Sequence, residues 1–295
     1  KALLNIVGYI DCKSIDLLPT ESREQHLNAL LKRIPDPIFD VDGQGNILSH
    51  NQQGDFLSQR TINEVLTISL ESLKSKKPFT TEVVYKERNF IGEVTPIWSE
   101  LRFNGAVVIL KSVSHLGRQM SLLQQGKSAS SLSSIIGESN NIKKLKQLVV
   151  KFSALDLPVL ISGETGTGKE LFARAMHEQS KRKGAPFLAI NCASLSEHLL
   201  ESELFGYVSG AFTGAGKNGK PGLFELANGG TVFLDEVAEM SVYLQAKLLR
   251  FLQDYSFRRL GGTKEISTNV RIISASHQPF NELLEKKDFR EDLYY

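Results

Sequence analysis

The chain has 295 residues, 41% hydrophobic and 23% charged, with a net charge of +2 at pH 7; that length carries about two domains with cores of their own, and the balanced charge gives no whole-chain electrostatic case for binding nucleic acid or a membrane. The two cysteines, Cys12 and Cys192, stand far apart without metal-ligand spacing, which argues against a disulfide or zinc framework and makes a reducing cytoplasm the expected compartment. No apolar run approaches the about 20 residues of a membrane span, and the first residues lack a signal-peptide pattern.

In chain order, "KALLNIVGYIDCKSIDLLP" reads as the tail of a helix and one strand without partners. After Pro19, the capping-type Thr20 opens a short amphipathic helix whose stripe is Leu27, Leu30, Leu31 and Ile34 and which ends before Pro35. "PIFDVDGQGNILSHN" is a strand, a glycine-containing turn and a second strand, and "NFIGEVTPIWS" and "GAVVILKSV" are two further strands. Helix, hairpin, a variable helical middle and a late antiparallel pair describe a small α+β, sensor-like domain over residues 21–115. "SHLGRQMSLLQQ" is a connecting helix, and "GKSASSLSS" is a serine-rich linker, so residues 116–133 join two regions of different composition.

From residue 134 the pattern becomes strand, loop, helix, repeated, the signature of a parallel sheet covered by helices. The strand "PVLIS" runs into Gly163, Glu164, Thr165, Gly166, Thr167, Gly168 and Lys169, a G-x-x-x-x-G-K phosphate loop that opens a helix. Its glycines let backbone N–H groups curl around phosphate oxygens, the helix N-terminus favours their charge, and Lys169 adds a cation toward the β and γ phosphates. Glu170 stands where this motif carries Ser or Thr, so Mg²⁺ needs another ligand. "GGTVFLDEVAEM" supplies one, because its strand ends on Asp235 and Glu236 and tandem carboxylates beside a phosphate loop divide labour, the first toward Mg²⁺ and the second toward the attacking water. The strands "PFLAINCAS" and "VRIISASH" bring Asn191 and His277 to the same sheet edge. Asn191 either holds Glu236 by a hydrogen bond or simply forms a turn.

Between these strands lies "ELFGYVSGAFTGAGKNGKPG", containing Gly210, Ala211, Phe212, Thr213, Gly214 and Ala215. No period of 2 or about 3.6 residues buries Phe212 on a strand or helix face. It is either an exposed tip on glycine hinges or a side chain folded into the local core.

"GETGTGKE", "NCAS", "ESELFGYVSGAFTGA", "GGTVFLDE", "LQAKLLRFLQ", "FRRLGG" and "FREDLYY" follow one another as in the AAA+ domain of sigma-54-dependent transcription activators, which residues 134–295 resemble. The preceding half, through "ESREQHLNALLKRIPDP", "NFIGEVTP" and "GAVVILKSVSHLGRQM", is similar to the TyrR branch of aromatic amino acid regulators, which implies a PAS-like domain after the last residues, 1–20, of an ACT-like domain. The resemblance implies an α/β P-loop ATPase using ATP and Mg²⁺, with Lys169 on phosphate, Asp235 on Mg²⁺, Glu236 polarising water and Asn191 restraining Glu236. It further implies Arg290 as an arginine finger offered to a neighbouring subunit of a dimer-to-hexamer homo-oligomer, although by itself Arg290 reads as a surface arginine. A second finger, the lid and a DNA-binding helix-turn-helix are expected beyond Tyr295, and His277 replaces the family's usual sensor asparagine. The GAFTGA loop would engage sigma-54 RNA polymerase through Phe212 and Thr213, under control of an aromatic amino acid effector. A TyrR-type repressor or activator of ordinary polymerase with ATP as ligand, and a P-loop ATPase with another client, are the competing readings; the intact GAFTGA favours the sigma-54 remodeller.

Overall fold

The computed structural model describes residues 29, 31, 32, 34, 36–44, 46–54, 78–85, 88–99, 102–125, 132–212 and 219–295, and the chain divides into two compact units, Lys1–Val113 and Ser114–Tyr295. The expected ACT-like segment over 1–20 lies outside the described residues, as does most of the helix after Thr20, of which residues 29, 31 and 32 are helical.

The first unit is one antiparallel sheet of five strands, β1 (Ile38–Asp42), β2 (Ile47–His50), β3 (Phe79–Tyr85), β4 (Arg88–Ser99) and β5 (Arg102–Ser112), in the order β2-β1-β5-β4-β3. The hairpin and the late antiparallel pair are where the sequence put them. The late pair is in fact three strands, because the threonine- and valine-rich "FTTEVVY" extends and pairs with β4. One face buries Phe39, Val94, Val108 and Leu110, and the other buries Ile38, Val107 and Ile109 beneath Leu31 and Ile34. Burial on both faces explains why "AVVIL" is continuously apolar rather than alternating.

The second unit opens with α1 (Val113–Gln125), all but its first residue, and α2 (Asn140–Ser153), whose first turn is capped by the Ser139 hydroxyl accepting from the Ile142 N–H. Then follow β6 (Val159–Ser162), α3 (Lys169–Glu178), β7 (Phe187–Asn191), α4 (Glu197–Phe205), the short pair β8 (Gly206–Tyr207) and β9 (Lys220–Pro221), and α5 (Leu223–Leu226). The unit closes with β10 (Thr231–Asp235), α6 (Val242–Asp254), the hairpin β11 (Ser256–Arg258) and β12 (Glu265–Ser267), β13 (Arg271–Ser276), α7 (Phe280–Glu285) and α8 (Glu291–Tyr294).

β6, β13, β10 and β7 form a parallel sheet in that order. Phe187, Phe233 and Ile273 of three of these strands pack with Ala173, Ala175 and Met176 of α3 and Val149 of α2. A second aromatic cluster, Phe205, Phe224, Phe251 and Phe257, joins α4, α5, α6 and β11. Because the strands run in one direction, their last residues, Ser162, Asn191, Asp235 and Ser276, share one edge of the sheet, where open α/β sheets place their ligands. Among the described residues no helix is long and apolar enough to cross a membrane.

Candidate functional site

The phosphate loop leaves β6 at Gly163, whose N–H bonds the Ser276 carbonyl at 3.2 Å and fixes the loop to the end of β13. Gly166 and Gly168 have φ of +82° and +84°. A side chain at Gly166 would meet nothing within 4 Å, so glycine is required there by the backbone turn and not by crowding, and the space over the loop is open. Gly168 is the N-cap of α3, so the N–H groups of the helix's first turn point out toward that space. Lys169, only 8% exposed, donates from Nζ to the carbonyls of Gly163 at 2.9 Å and Glu164 at 3.3 Å and stands 3.6 Å from Glu236 Oε1. Glu170 lies along α3, paired with Arg174 at 2.7 Å and 2.9 Å. Its carboxylate is thus engaged one turn down the helix, and the acids at the end of β10 are Asp235 and Glu236.

Asp235 and Glu236, adjacent in sequence, turn to opposite flanks. β7 pairs with β10 so that Asn191 is directly opposite Asp235, and Asn191 Nδ2 donates to Asp235 Oδ2 at 3.2 Å. The expectation that Asn191 holds Glu236 is therefore corrected. Its Oδ1 also accepts from the N–H groups of Ala193 and Ser194, so its turn-forming role is realised as well. Glu236 sits one residue past the strand in a left-handed conformation, φ 52° and ψ 49°, which sends its side chain toward β13. There His277 receives it: Oε2 accepts from the His277 N–H at 3.2 Å and pairs with His277 Nδ1 at 2.6 Å. Partial burial pushes the Glu236 carboxyl up, but the two bonds from His277 and the nearby Lys169 charge outweigh it and hold its pKa below the ordinary glutamate value. His277 was legible as a strand-end residue on this edge; its grip on Glu236 was not.

Cys192, buried beside the two acids, is pushed up to about 12 by burial and then by the charges of Asp235 and Glu236, so it is an inert thiol. Among the described residues no group of three or more His, Cys, Asp or Glu is placed to hold a metal ion. Arg290 lies at the start of α8; its N–H donates to Gln245 Oε1 at 2.8 Å, and its guanidinium grips Asp292 at 2.6 Å and 2.9 Å. That ion pair holds the guanidinium charge on its own helix end, at the surface.

The glycine-rich segment rises from a two-residue neck in which Gly206 pairs with Pro221 and Tyr207 with Lys220. A side-chain carbon on Gly206 would stand 2.4 Å from the Lys220 carbonyl oxygen, so the neck closes main chain on main chain. The tip of the β11–β12 hairpin braces it, with the Leu260 carbonyl accepting from Val208 N–H at 3.0 Å and the Leu260 N–H donating to Gly206 at 2.9 Å. Phe212 is 45% exposed and meets Tyr207 edge-on at 5.1 Å, so of the two readings of this residue the buried-core one does not hold. Gly210 turns with φ +74° in open space, Ala211 N–H bonds the Val208 carbonyl at 3.2 Å, and Thr213, Gly214 and Ala215 lie outside the described residues. Behind the neck, Arg259 and Glu225, with side chains 6% and 4% exposed, form a two-pronged ion pair at 2.8 Å to 3.0 Å. Sequence reasoning missed this pair, since nothing in "LFEL" or "FRRLGG" marks two charges 34 residues apart as partners.

A parallel sheet with a phosphate loop after one edge strand and an acid pair after the strand two places along defines a P-loop NTPase domain of the AAA+ class. Residues 135–295 match the Sigma-54 interaction domain family, and the chain belongs to that family. Over 98% of its length it is 38% identical to the HTH-type transcriptional regulatory protein TyrR of Salmonella typhimurium. The transcriptional regulator VasH of Vibrio cholerae is 55% identical over 55% of the chain and 30% of its own length. A crystal structure of NtrX from Brucella abortus in complex with ADP matches 54% of the chain and 34% of its own at 39% identity and a TM-score of 0.50. The chain spans 58% of the length of the TyrR relative and less of VasH.

Proposed function

We propose that the chain is the sensing and ATPase part of a transcription regulator that hydrolyses ATP to remodel sigma-54 RNA polymerase through its GAFTGA hairpin. The observation that carries the reading is the convergence of Lys169, Asp235, Glu236 and His277 at one sheet edge, in a chain whose exposed phenylalanine stands on a separate braced neck. The residues fit a nucleoside triphosphate. The open loop with its glycine turns and helix N-terminus suits phosphate oxygens, and the NtrX match was crystallised with ADP. They fit Mg²⁺ only in company with the nucleotide, because one carboxylate, Asp235, is at hand and magnesium completes its shell with phosphate oxygens and water. A bound nucleotide supplies the γ-phosphoryl group and the free energy of its hydrolysis. The chain's part is to cradle the phosphates on the loop amides and Lys169, to keep Asp235 oriented through Asn191, and to hold Glu236 as the base that takes a proton from the attacking water. His277 keeps Glu236 on the β13 flank, so freeing the carboxylate toward water is the step that this residue governs.

Arg290, paired with Asp292 here, is proposed as the finger that a neighbouring subunit receives, which makes the active form a ring. The likeness to an HTH-type regulator over nearly the whole chain supports a DNA-binding segment elsewhere in the protein and the TyrR branch, hence control of aromatic amino acid genes with an aromatic effector. The five-stranded antiparallel sheet is proposed as a PAS-like domain over 21–115, joined through 116–133 to the ATPase domain over 134–295.

In the full-length protein, Glu236→Gln is expected to bind ATP normally and to lower kcat by about 10²-fold to 10⁴-fold, while Lys169→Ala loses binding. Mixing Arg290→Ala subunits with Glu236→Gln subunits restores part of the activity if the site is shared. Normal turnover by Glu236→Gln would move the base elsewhere, and no complementation at any mixing ratio would remove Arg290 from the site.

A further inference from the structure

The four parallel strands end, on one side, at β7, and an edge strand leaves a row of N–H and C=O groups to be satisfied. Helix α1 satisfies three of them. The Ser121 hydroxyl accepts from the Phe187 N–H at 3.0 Å. Gln124 treats Ala189 as a neighbouring strand would, accepting from its N–H at 2.9 Å and donating to its C=O at 3.3 Å. Gly117 lies on the same face of the helix, four residues before Ser121. A side-chain carbon there would stand 1.8 Å from the Leu226 carbonyl oxygen, so α1 rests directly on the main chain of α5. The outer face carries Leu122 and the 85% exposed Leu123.

The docked helix contacts residues that adjoin both arms of the nucleotide site. The Gln124 carbonyl accepts from Arg174 at 3.4 Å, and the same guanidinium binds Glu170, the residue after Lys169, and lies 4.7 Å over the Phe187 ring. In the other direction, β7 runs two residues from Ala189 to Asn191, which holds Asp235. We propose that α1 is the side-chain-built fifth member of the ATPase sheet and that Gln124 is a positioning residue for the nucleotide site, acting through Ala189 on Asn191 and through Arg174 on the start of α3. Because α1 follows β5 without an intervening residue, it is also the covalent route by which the first unit reaches that site. The catalytic consequence rests on the ATPase reading above; the docking and its reach to Asn191 do not.

The test is hydrogen exchange on the full-length protein, followed in overlapping peptides across 187–194, beside kcat for ATP and binding of a non-hydrolysable ATP analogue. Gln124→Met keeps length and apolar bulk but neither hydrogen bond. Gly117→Ala favours helix formation yet pushes α1 off Leu226, so a helix that serves only its own stability would gain from it. Both variants are expected to speed exchange at Ala189 about tenfold, as loss of a backbone-directed hydrogen bond does. Both should also speed exchange at Ala193 and Ser194, whose N–H groups bond Asn191, and lower kcat about threefold to tenfold with analogue binding within about twofold. Leu123→Gln on the outer face changes none of these. Unchanged exchange at Ala189 in Gln124→Met overturns the docking, and faster exchange at Ala189 with Ala193 and Ser194 unmoved overturns the positioning role. A wild-type protein that hydrolyses no ATP would sink the ATPase reading, while the exchange at Ala193 and Ser194 would still decide whether α1 positions Asn191.

Discussion

At the carboxyl end of the sheet, Lys169, Asp235, Asn191, Glu236 and His277 are each held by at least one hydrogen bond or ion pair, at the start of α3 and at or just past the ends of strands buried in the core. The hairpin that carries Phe212 inverts this, with a neck fixed main chain to main chain and a tip whose one described ring contact is Tyr207. Phosphoryl chemistry depends on atoms fixed in place, whereas the partner-engaging role proposed for the hairpin needs an anchored base and an exposed aromatic side chain. The charges differ as well: Lys169 and Glu236 are held by the phosphate loop and His277, whereas Glu225 and Arg259 are buried against each other. The contrast is open to tests that damage one region and spare the other.

The largest expected effect on stability comes from the sealed pair. Arg259→Met leaves the Glu225 carboxylate buried beside an apolar chain and is expected to cost about 3–5 kcal/mol in unfolding free energy. The double variant Glu225→Leu with Arg259→Met recovers most of it, because both members of this ion pair are then removed together. Denaturant unfolding checks both, and a single variant within about 1 kcal/mol of wild type would mean the pair is not sealed.

A smaller effect belongs to the rigid region. His177, 1% exposed on α3, is lowered to about 4 chiefly by burial, with its Nδ1 placed 2.9 Å from the Thr231 hydroxyl. Below its ordinary value of about 6.5 the unfolded chain takes up a proton that the folded chain refuses. The stability is therefore fully present above that pH and is lost as pH falls toward 4, by roughly 3 kcal/mol from this group. Relative to wild type, His177→Gln is expected to flatten the stability profile in that window; parallel profiles would show that the ring is protonated in the fold.

The smallest concerns the brace. Gly261 has φ +71°, and a side-chain carbon there would stand 2.9 Å from Ala211 Cβ. Gly261→Ala is expected to cost about 1–2 kcal/mol, the strain of a left-handed non-glycine residue. It should shift the hairpin while leaving ATP binding unchanged, and a loss of ATP binding would show that neck and site are not separable.

What the sequence disclosed follows from how local each signal is. The phosphate loop is seven consecutive residues, and Asp235 and Glu236 follow an apolar run, so both were placed before any fold was known. The strand order and the parallel direction then bring His277 to the same edge. Partners far apart in the chain were not legible: Glu236 with His277 is 41 residues apart, Glu225 with Arg259 34, and Ala189 with Gln124 65. Asn191 illustrates the limit. Its residue type suited a hydrogen bond to either acid, and only the register of β7 on β10 places it opposite Asp235. "FTTEVVY" was missed for a related reason, since its pairing partner β4, not its own periodicity, makes it a strand.

The proposed division between a nucleotide site and a partner-engaging loop is tested most directly by Phe212→Ala in the full-length protein, with ATP hydrolysis, thermal melting and transcription from a sigma-54 promoter measured on one preparation. Hydrolysis and melting are expected near wild type, because Phe212 is 45% exposed and its described ring contact is with Tyr207, while transcription is lost through a contact weakened by at least about thirtyfold. A Phe212→Ala protein that melts early and hydrolyses poorly, or one that activates transcription normally, would contradict the account.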